Sequence, residues 1–418
     1  MKNKFYNDFD IERLHKSPRE DYRTHFQIDR DRIIHSSEFR RLQGKTQVFL
    51  PGEFDYYRTR LTHSIEVAQI GRSICAFLKN NNKNLFSDEY HIDQDLVESA
   101  SLAHDLGHPP FGHAGERTLN KLMIPYGGFE GNAQTLRLIT ETFYTSENNK
   151  RGLNPTRAFV DSILKYKSLY GQLNNPENHF IYDNQQYYID FVFDKNLKKQ
   201  NITPGKQLNS LKSIECQIMD WADDTAYAIN DLVDSISGGF ITIHKLLIWQ
   251  EENLGKLTSI QKDTLENIIN WITKGNYKAK FGAEIGNFIL ASNIAEQNSF
   301  MNNYTNRYKY KLTISPAYIE KVKFYKKLSV DLVFNTSEIH QIEFKGDRML
   351  KSIFEILEEN YIKNVKENIL LPQFTDNLIR KEQNIQSRAR LVCDYISGMT
   401  DSFAMRTYKR LFDPDYKD

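Results

Sequence analysis

Residues 211 to 236 read LKSIECQIMDWADDTAYAINDLVDSI, and two stripes run along them. Ile214, Ile218, Trp221, Thr225, Ile229, Leu232 and Ile236 recur at helical spacing and form a long seam. Beside the seam, Asp220, Asp223, Tyr227 and Asp231 follow one another three, four and four residues apart, so they share one face. A helix with such a seam is buried, and carboxylates on a buried helix cost several kcal/mol unless something pairs with them. The chain must therefore fold so that partners reach this face.

Helical spacing prevails elsewhere and strand-like alternation is rare, so the expected class is all-α, mainly helix with a small β-hairpin insertion. RLTHSIEVAQIGRSICAFL, residues 60 to 78, puts His63, Val67, Ile70 and Ile74 on one face, which turns that histidine toward the core. LVESASLAHDL, 96 to 106, predicts a second helix stopped by Gly107 and Pro109. Residues 174 to 206 are polar, rich in Asn, Gln and Tyr and locally alternating, which predicts a loop carrying the hairpin. Beyond Gly238 and Gly239 helices resume and end with residues 388 to 412. No 20 to 50 residue period repeats, which excludes a solenoid.

Composition narrows the partners. With 40% hydrophobic and 12% aromatic residues the chain is too apolar for disorder, and 55 Lys plus Arg against 54 Asp plus Glu leaves no field to draw nucleic acid or lipid. Single-stranded DNA is therefore not indicated as a partner. The three cysteines, Cys75, Cys216 and Cys393, lie far apart and outside any CxxC pair, so a thiolate zinc site is not expected and a reducing compartment is. The N-terminal residues lack an apolar core of signal-peptide length, and no long uncharged apolar run follows, so a cytoplasmic protein without a membrane span is expected.

SLAHDLGHPPFGHAGE, residues 101 to 116, packs His104, Asp105, His108, His113 and Glu116 around two prolines. One histidine on a first helix, a His-Asp pair ending a second and an aspartate on a third can converge in a bundle core. Two imidazoles and two carboxylates suit a divalent ion of the Mn, Fe, Co, Ni or Zn type. Taken singly, each residue is as well explained as a satisfied core histidine, a helix cap or a surface charge. Taken together, an inward His63, a His-Asp helix end and a carboxylate stripe strain that explanation.

His63, then His104-Asp105, then an aspartate of the 220s resembles the H…HD…D signature of the HD superfamily of metal-dependent phosphohydrolases. RRLQGKTQVF (40–49), RTRLTHSIEV (58–67), HDLGHPPFGHAGE (104–116), GFEGNAQTLR (128–137), WADDTAYAINDL (221–232) and VCDYISGMTD (392–401) resemble, in order, the blocks of the bacterial deoxyguanosine triphosphate triphosphohydrolase group. The resemblance implies an HD-domain helical bundle with a helical C-terminal extension. It implies a substrate-site segment over 1–57, an HD core over 58–237 with a polar insertion at 166–210, and core completion and subunit interface over 238–418. It also implies one divalent metal ion per subunit (Mn, Mg, Fe, Ni, Co or Zn) held by His63, His104, Asp105 and Asp223. Asp223 is preferred because the related vertebrate SAM-and-HD-domain enzymes carry a Tyr four and an Asp eight residues after the metal aspartate, as Tyr227 and Asp231 stand here. Asp220 is then a supporting acid, and Asp224 is expected to face away.

The family reaction is hydrolysis of a deoxynucleoside triphosphate at the α-phosphorus, giving deoxynucleoside and inorganic triphosphate. By the same resemblance His113 and Glu116 are the catalytic pair, with His108 supporting them near phosphate. Gln47 and Val48 meet base or sugar, Arg60 and Lys165 meet phosphate, and Tyr227 and Asp231 close on the ribose. Gly131 stands where the vertebrate enzymes have a histidine. Implied partners are a dNTP substrate, an effector dNTP and further copies of the chain in a tetramer or hexamer. The alternative is an HD-type nucleotidase or phosphodiesterase on another nucleotide.

Overall fold

The computed structural model describes residues 3–16, 21–49, 57–145, 152–174 and 176–417. Helices build most of it. The first that matters is α1, Arg60–Asn81, started by a Thr59 side chain that accepts from the Thr62 amide. α2, Gln94–Ala103, starts at Asp93 and ends at His104, so the His-Asp pair stands just past the helix instead of inside it. α3, Gly112–Met123, begins after Phe111, whose φ of 63° is left-handed. α4, Gly131–Arg137, is capped by Glu130, and α5 is Arg157–Ile163.

The segment expected to hold a hairpin is helical instead: Gln186–Phe193 forms α6 and buries Tyr188, Ile189, Val192 and Phe193. Those apolar residues recur in pairs four apart, a helical stripe that reads locally as alternation. The long striped helix is α7, Ile214–Ser237, with Ser213 as its N-cap. The sheet lies where only helices were expected. β1, Ser292–Glu296, pairs antiparallel with β2, Tyr310–Ile314, setting Ile294 opposite Leu312. This is the only sheet among the described residues. Then come α8, Pro316–Ser329, and α9, Ser337–Leu357. The stretch 388–412 falls on two helices, α10, Ile385–Ser397, and α11, Asp401–Phe412, parted at Gly398–Thr400.

Packing divides the interior in two. α7 lies against α1, α2, α5 and α8, and its apolar seam joins Val67, Ile70 and Ile74 of α1 and Leu96, Val97 and Ala100 of α2 in the larger core. α9, α10 and α11 pack with α3 around a smaller core that includes Leu119, Met123, Leu350, Ile353, Val392 and Ala404. The chain between α2 and α3 passes from one to the other, with Leu106 in the larger core and Phe111 in the smaller. No described helix is long and apolar enough to cross a membrane.

Candidate active site

At the seam between the cores, a cavity of about 300 Å³ gathers residues from α1, α3, α4, α7 and α8 and from the loop that follows α2. Three potential ligand atoms, one each from His63, His104 and Asp223, lie within 4.8 Å of one another. His63 Nε2 is 3.0 Å from Asp223 Oδ1. His104 Nδ1 donates to the Ser101 carbonyl at 2.6 Å, which fixes the ring and leaves Nε2 turned toward the cavity. That Nε2 is buried and has no hydrogen-bond partner among the described residues. It lies 3.5 Å from Asp223 Oδ1 and 3.4 Å from Asp105 Oδ1.

Each aspartate turns one oxygen toward the histidines and gives the other to a cation. Asp105 Oδ2 accepts from Arg60 at 2.8 Å, and Asp223 Oδ2 accepts from Lys165 at 2.6 Å. Burial would raise both carboxyls. His104 and Arg60 outweigh it at Asp105, and Lys165 and His104 at Asp223, holding both well below the ordinary range. Lys165 also lies 3.3 Å from Asp220, which pairs with Lys212 at 2.6 Å. A buried imidazole nitrogen with no hydrogen-bond partner, beside acids that are already ionised, fits a divalent ion.

Across the cavity His113 and Glu116 stand on the first turns of α3. His113 Nδ1 is 3.3 Å from Glu116 Oε2, and Glu116 Oε1 accepts from the Gly131 amide at 2.7 Å. Burial would push the Glu116 carboxyl up, but the His113 hydrogen bond and the neighbouring His108 bring it down to about 2. His108 Nδ1 sits 3.2 Å from Asp105 Oδ1, and burial together with Arg60 lowers its imidazole to about 4, leaving it neutral near pH 7. Glu130 shares the cavity wall, and burial with the Glu116 charge pushes it up to about 8.

The expected substrate residues divide. Gln47, Arg60, Lys165 and Tyr227 line the cavity, and Gln47 Oε1 is buried with no hydrogen-bond partner among the described residues. Val48 instead packs partly buried against the larger core, outside that lining. Asp231, one turn beyond Tyr227 on α7, is buried outside it too, and burial with the Asp234 charge drives its carboxyl well above the ordinary value. Asp224 does not face away as expected. It lines the cavity and pairs at 2.6 Å with Lys326 of α8.

Lys326 is the group the sequence concealed, with its Nζ 5.4 Å from the centre of the Tyr227 ring. No motif surrounds it, and its acid partner lies 102 residues away. Tyr166 and His179, stacked at 4.4 Å, also join the wall unannounced. A larger cavity of about 660 Å³, between the 41–45 segment and α10 and α11, has no histidine among its lining and backs onto the site through Lys45.

Comparison with known proteins identifies the family. The HD domain family matches residues 60–228, and the phosphohydrolase-associated domain family matches residues 312–410. A deoxyguanosinetriphosphate triphosphohydrolase-like protein of Shewanella sediminis is 35% identical over 96% of this chain and 94% of its own length. A protein of the same description from Haemophilus influenzae is 35% identical over 94% of each chain. A third, from Deinococcus radiodurans, is 35% identical over 95% of this chain and 94% of its own. The HD match holds His63, His104, Asp105, His113, Glu116 and Asp223, and the second match holds Lys326, so the chain belongs to the deoxyguanosinetriphosphate triphosphohydrolase-like family of HD-domain phosphohydrolases.

Proposed function

We propose that the protein hydrolyses deoxynucleoside triphosphates at the α-phosphorus, releasing deoxynucleoside and intact inorganic triphosphate, with one divalent metal ion bound. The observation that carries this reading is the unpartnered His104 Nε2 facing Asp105 and Asp223 in the same cavity as the His113–Glu116 pair. His63 Nε2, His104 Nε2, Asp105 Oδ1 and Asp223 Oδ1 would hold the ion. When bound, such an ion acts as a Lewis acid toward phosphate oxygens and lowers the pKa of water.

The chain supplies the rest. Arg60 and Lys165 fix the outer oxygens of Asp105 and Asp223 and add positive charge at the cavity wall, where a polyphosphate needs it. Lys326 adds a third cation from α8. Glu116, ionised near neutral pH, orients His113 through Nδ1, which leaves Nε2 to exchange a proton with the substrate. Neutral His108 places an imidazole between Asp105 and that pair without adding charge. Tyr227 offers a ring wall for the deoxyribose, where a 2′-hydroxyl would find no room or no partner.

The test is to incubate the pure protein with Mn²⁺ or Mg²⁺ and each dNTP, alone and in pairs, and to resolve the products. Equal amounts of deoxynucleoside and triphosphate are expected. Release of orthophosphate or pyrophosphate, or no cleavage under any pairing, overturns the reading.

A further inference from the structure

Between the His104–Asp105 half of the site and the His113–Glu116 half, the chain runs through His108, Pro109, Pro110, Phe111 and Gly112. Phe111 and Gly112 are both left-handed, with φ of 63° and 58°. For a bulky non-glycine residue that conformation is strained and persists only where its surroundings enforce it. The enforcement comes from two residues that line no part of the site cavity.

One is Asp401, the first residue of α11, 1% exposed. Its Oδ1 accepts from the Phe111 amide at 3.0 Å, and its Oδ2 accepts from the Thr46 amide at 2.9 Å and from the Thr46 hydroxyl. The other is Lys45, 2% exposed, whose Nζ donates to the His108 carbonyl at 2.5 Å and the Ser397 carbonyl at 2.9 Å. The Phe111 ring is held as well: a Cβ on Gly346 of α9 would come within 2.7 Å of it, so only glycine leaves the ring its seat. Donors and acceptors from residues 45–46, from the loop and from the α10–α11 junction thus meet in one buried crosspiece.

We propose that Asp401, supported by Lys45, is a positioning residue of the reaction. Its carboxylate holds the left-handed turn at Phe111–Gly112, and that turn sets His113 and Glu116 against the His63, His104 and Asp223 cluster. A carboxylate suits the task because three donors approach its two oxygens from two sides. An amide of the same shape accepts on one side only and turns N–H groups against the donors on the other.

The inference rests on the proposed triphosphohydrolase reading for its kinetic part alone, and the test separates the two. Asp401→Asn is compared with wild type for kcat and KM on the best-cleaved dNTP, for Mn²⁺ affinity by calorimetry, and for deuterium uptake of peptides spanning 96–104 and 107–115. The expected result is a fall in kcat of about tenfold to a hundredfold, the cost of a small misplacement of a catalytic group, with KM and Mn²⁺ affinity within about threefold of wild type. Uptake should rise at 107–115 and not at 96–104. A kcat within about twofold of wild type, Mn²⁺ affinity falling in step with kcat, or unchanged uptake at 107–115 overturns the proposal. Should Asp401→Asn fail to fold, Lys45→Met carries the same expectations and is judged by the same readouts. A wild type that cleaves no dNTP removes the proposed reaction, and the uptake and Mn²⁺ measurements then decide by themselves whether Asp401 holds the turn.

Discussion

Asp105 and Asp223 have their outer oxygens anchored by Arg60 and Lys165, while His104 is aligned by the Ser101 carbonyl, so the cluster is oriented before anything binds. His104→Ala should therefore abolish Mn²⁺ binding in a calorimeter, whereas His113→Ala should bind Mn²⁺ normally and lose about 10² to 10⁴ in kcat. Identical losses of metal in both variants would contradict this division of labour. Single residues were legible where short spacing carried them, as for His63 on an apolar face and His104-Asp105 at a helix end, and Asp223 was singled out by the resemblance, which places a Tyr four and an Asp eight residues on. Asp224 and Lys326 were not, because a side chain's direction at the rim of a cavity depends on a partner far away in sequence. Lys165 was expected to meet phosphate, and its place between Asp220 and Asp223 adds contacts to both acids.

Among the elements, α8 brings Lys326 to the cavity from outside the HD match. Lys326→Ala should raise KM for dNTP about tenfold, the loss of one charge-assisted contact, with Mn²⁺ affinity unchanged. An unaltered KM would remove Lys326 from the phosphate-binding set. The N-cap of α4 gives a pH test. Glu130 accepts from the Ala133 amide at 2.8 Å, and its carboxyl is raised from 4.5 to about 8. The folded state thus keeps a proton that the unfolded chain releases, so this contribution is full below about pH 4.5 and drains away as pH rises toward 8. Urea titrations of wild type between these limits should show stability falling by up to about 1.4 kcal/mol per pH unit from this group. Glu130→Gln should flatten that component, and an unchanged slope would count against it. Helix positions were legible because α1, α2 and α7 carry long stripes, whereas α6 was misread since eight residues hold too few turns to separate paired apolar positions from alternation. β1 and β2 were missed because five-residue strands give still less pattern.

For the molecule as a whole, two cores are joined by a shared loop, and the larger is braced by buried charge. In the larger core Arg307 pairs with Asp161 at 3.1 Å and Glu215 at 3.0 Å, while Tyr6 donates to that same Glu215 at 2.7 Å and so fastens the N-terminal segment to α7. Arg307→Met should destabilise the fold by roughly 3–5 kcal/mol in urea unfolding, since it strands two buried carboxylates; a loss below about 1 kcal/mol would contradict that. This division was hidden in the sequence, where the apolar pattern of α9 to α11 promises burial without saying against which neighbours. The seam between the cores has a mechanical consequence. The His63, His104 and Asp223 cluster is seated in one body and the His113–Glu116 pair rides on another, so the distance between them is geared to how tightly the smaller body is packed. Leu350, fully buried in the smaller core against the start of α3, is one tooth of that gear. Leu350→Ala should cost about 2–5 kcal/mol of stability and slow turnover at temperatures where Mn²⁺ still binds as tightly as in wild type. Equal decay of the two quantities on warming would show a single rigid block. Changes in the C-terminal helices can then grade the rate of the proposed reaction with the proposed ligands left as they are.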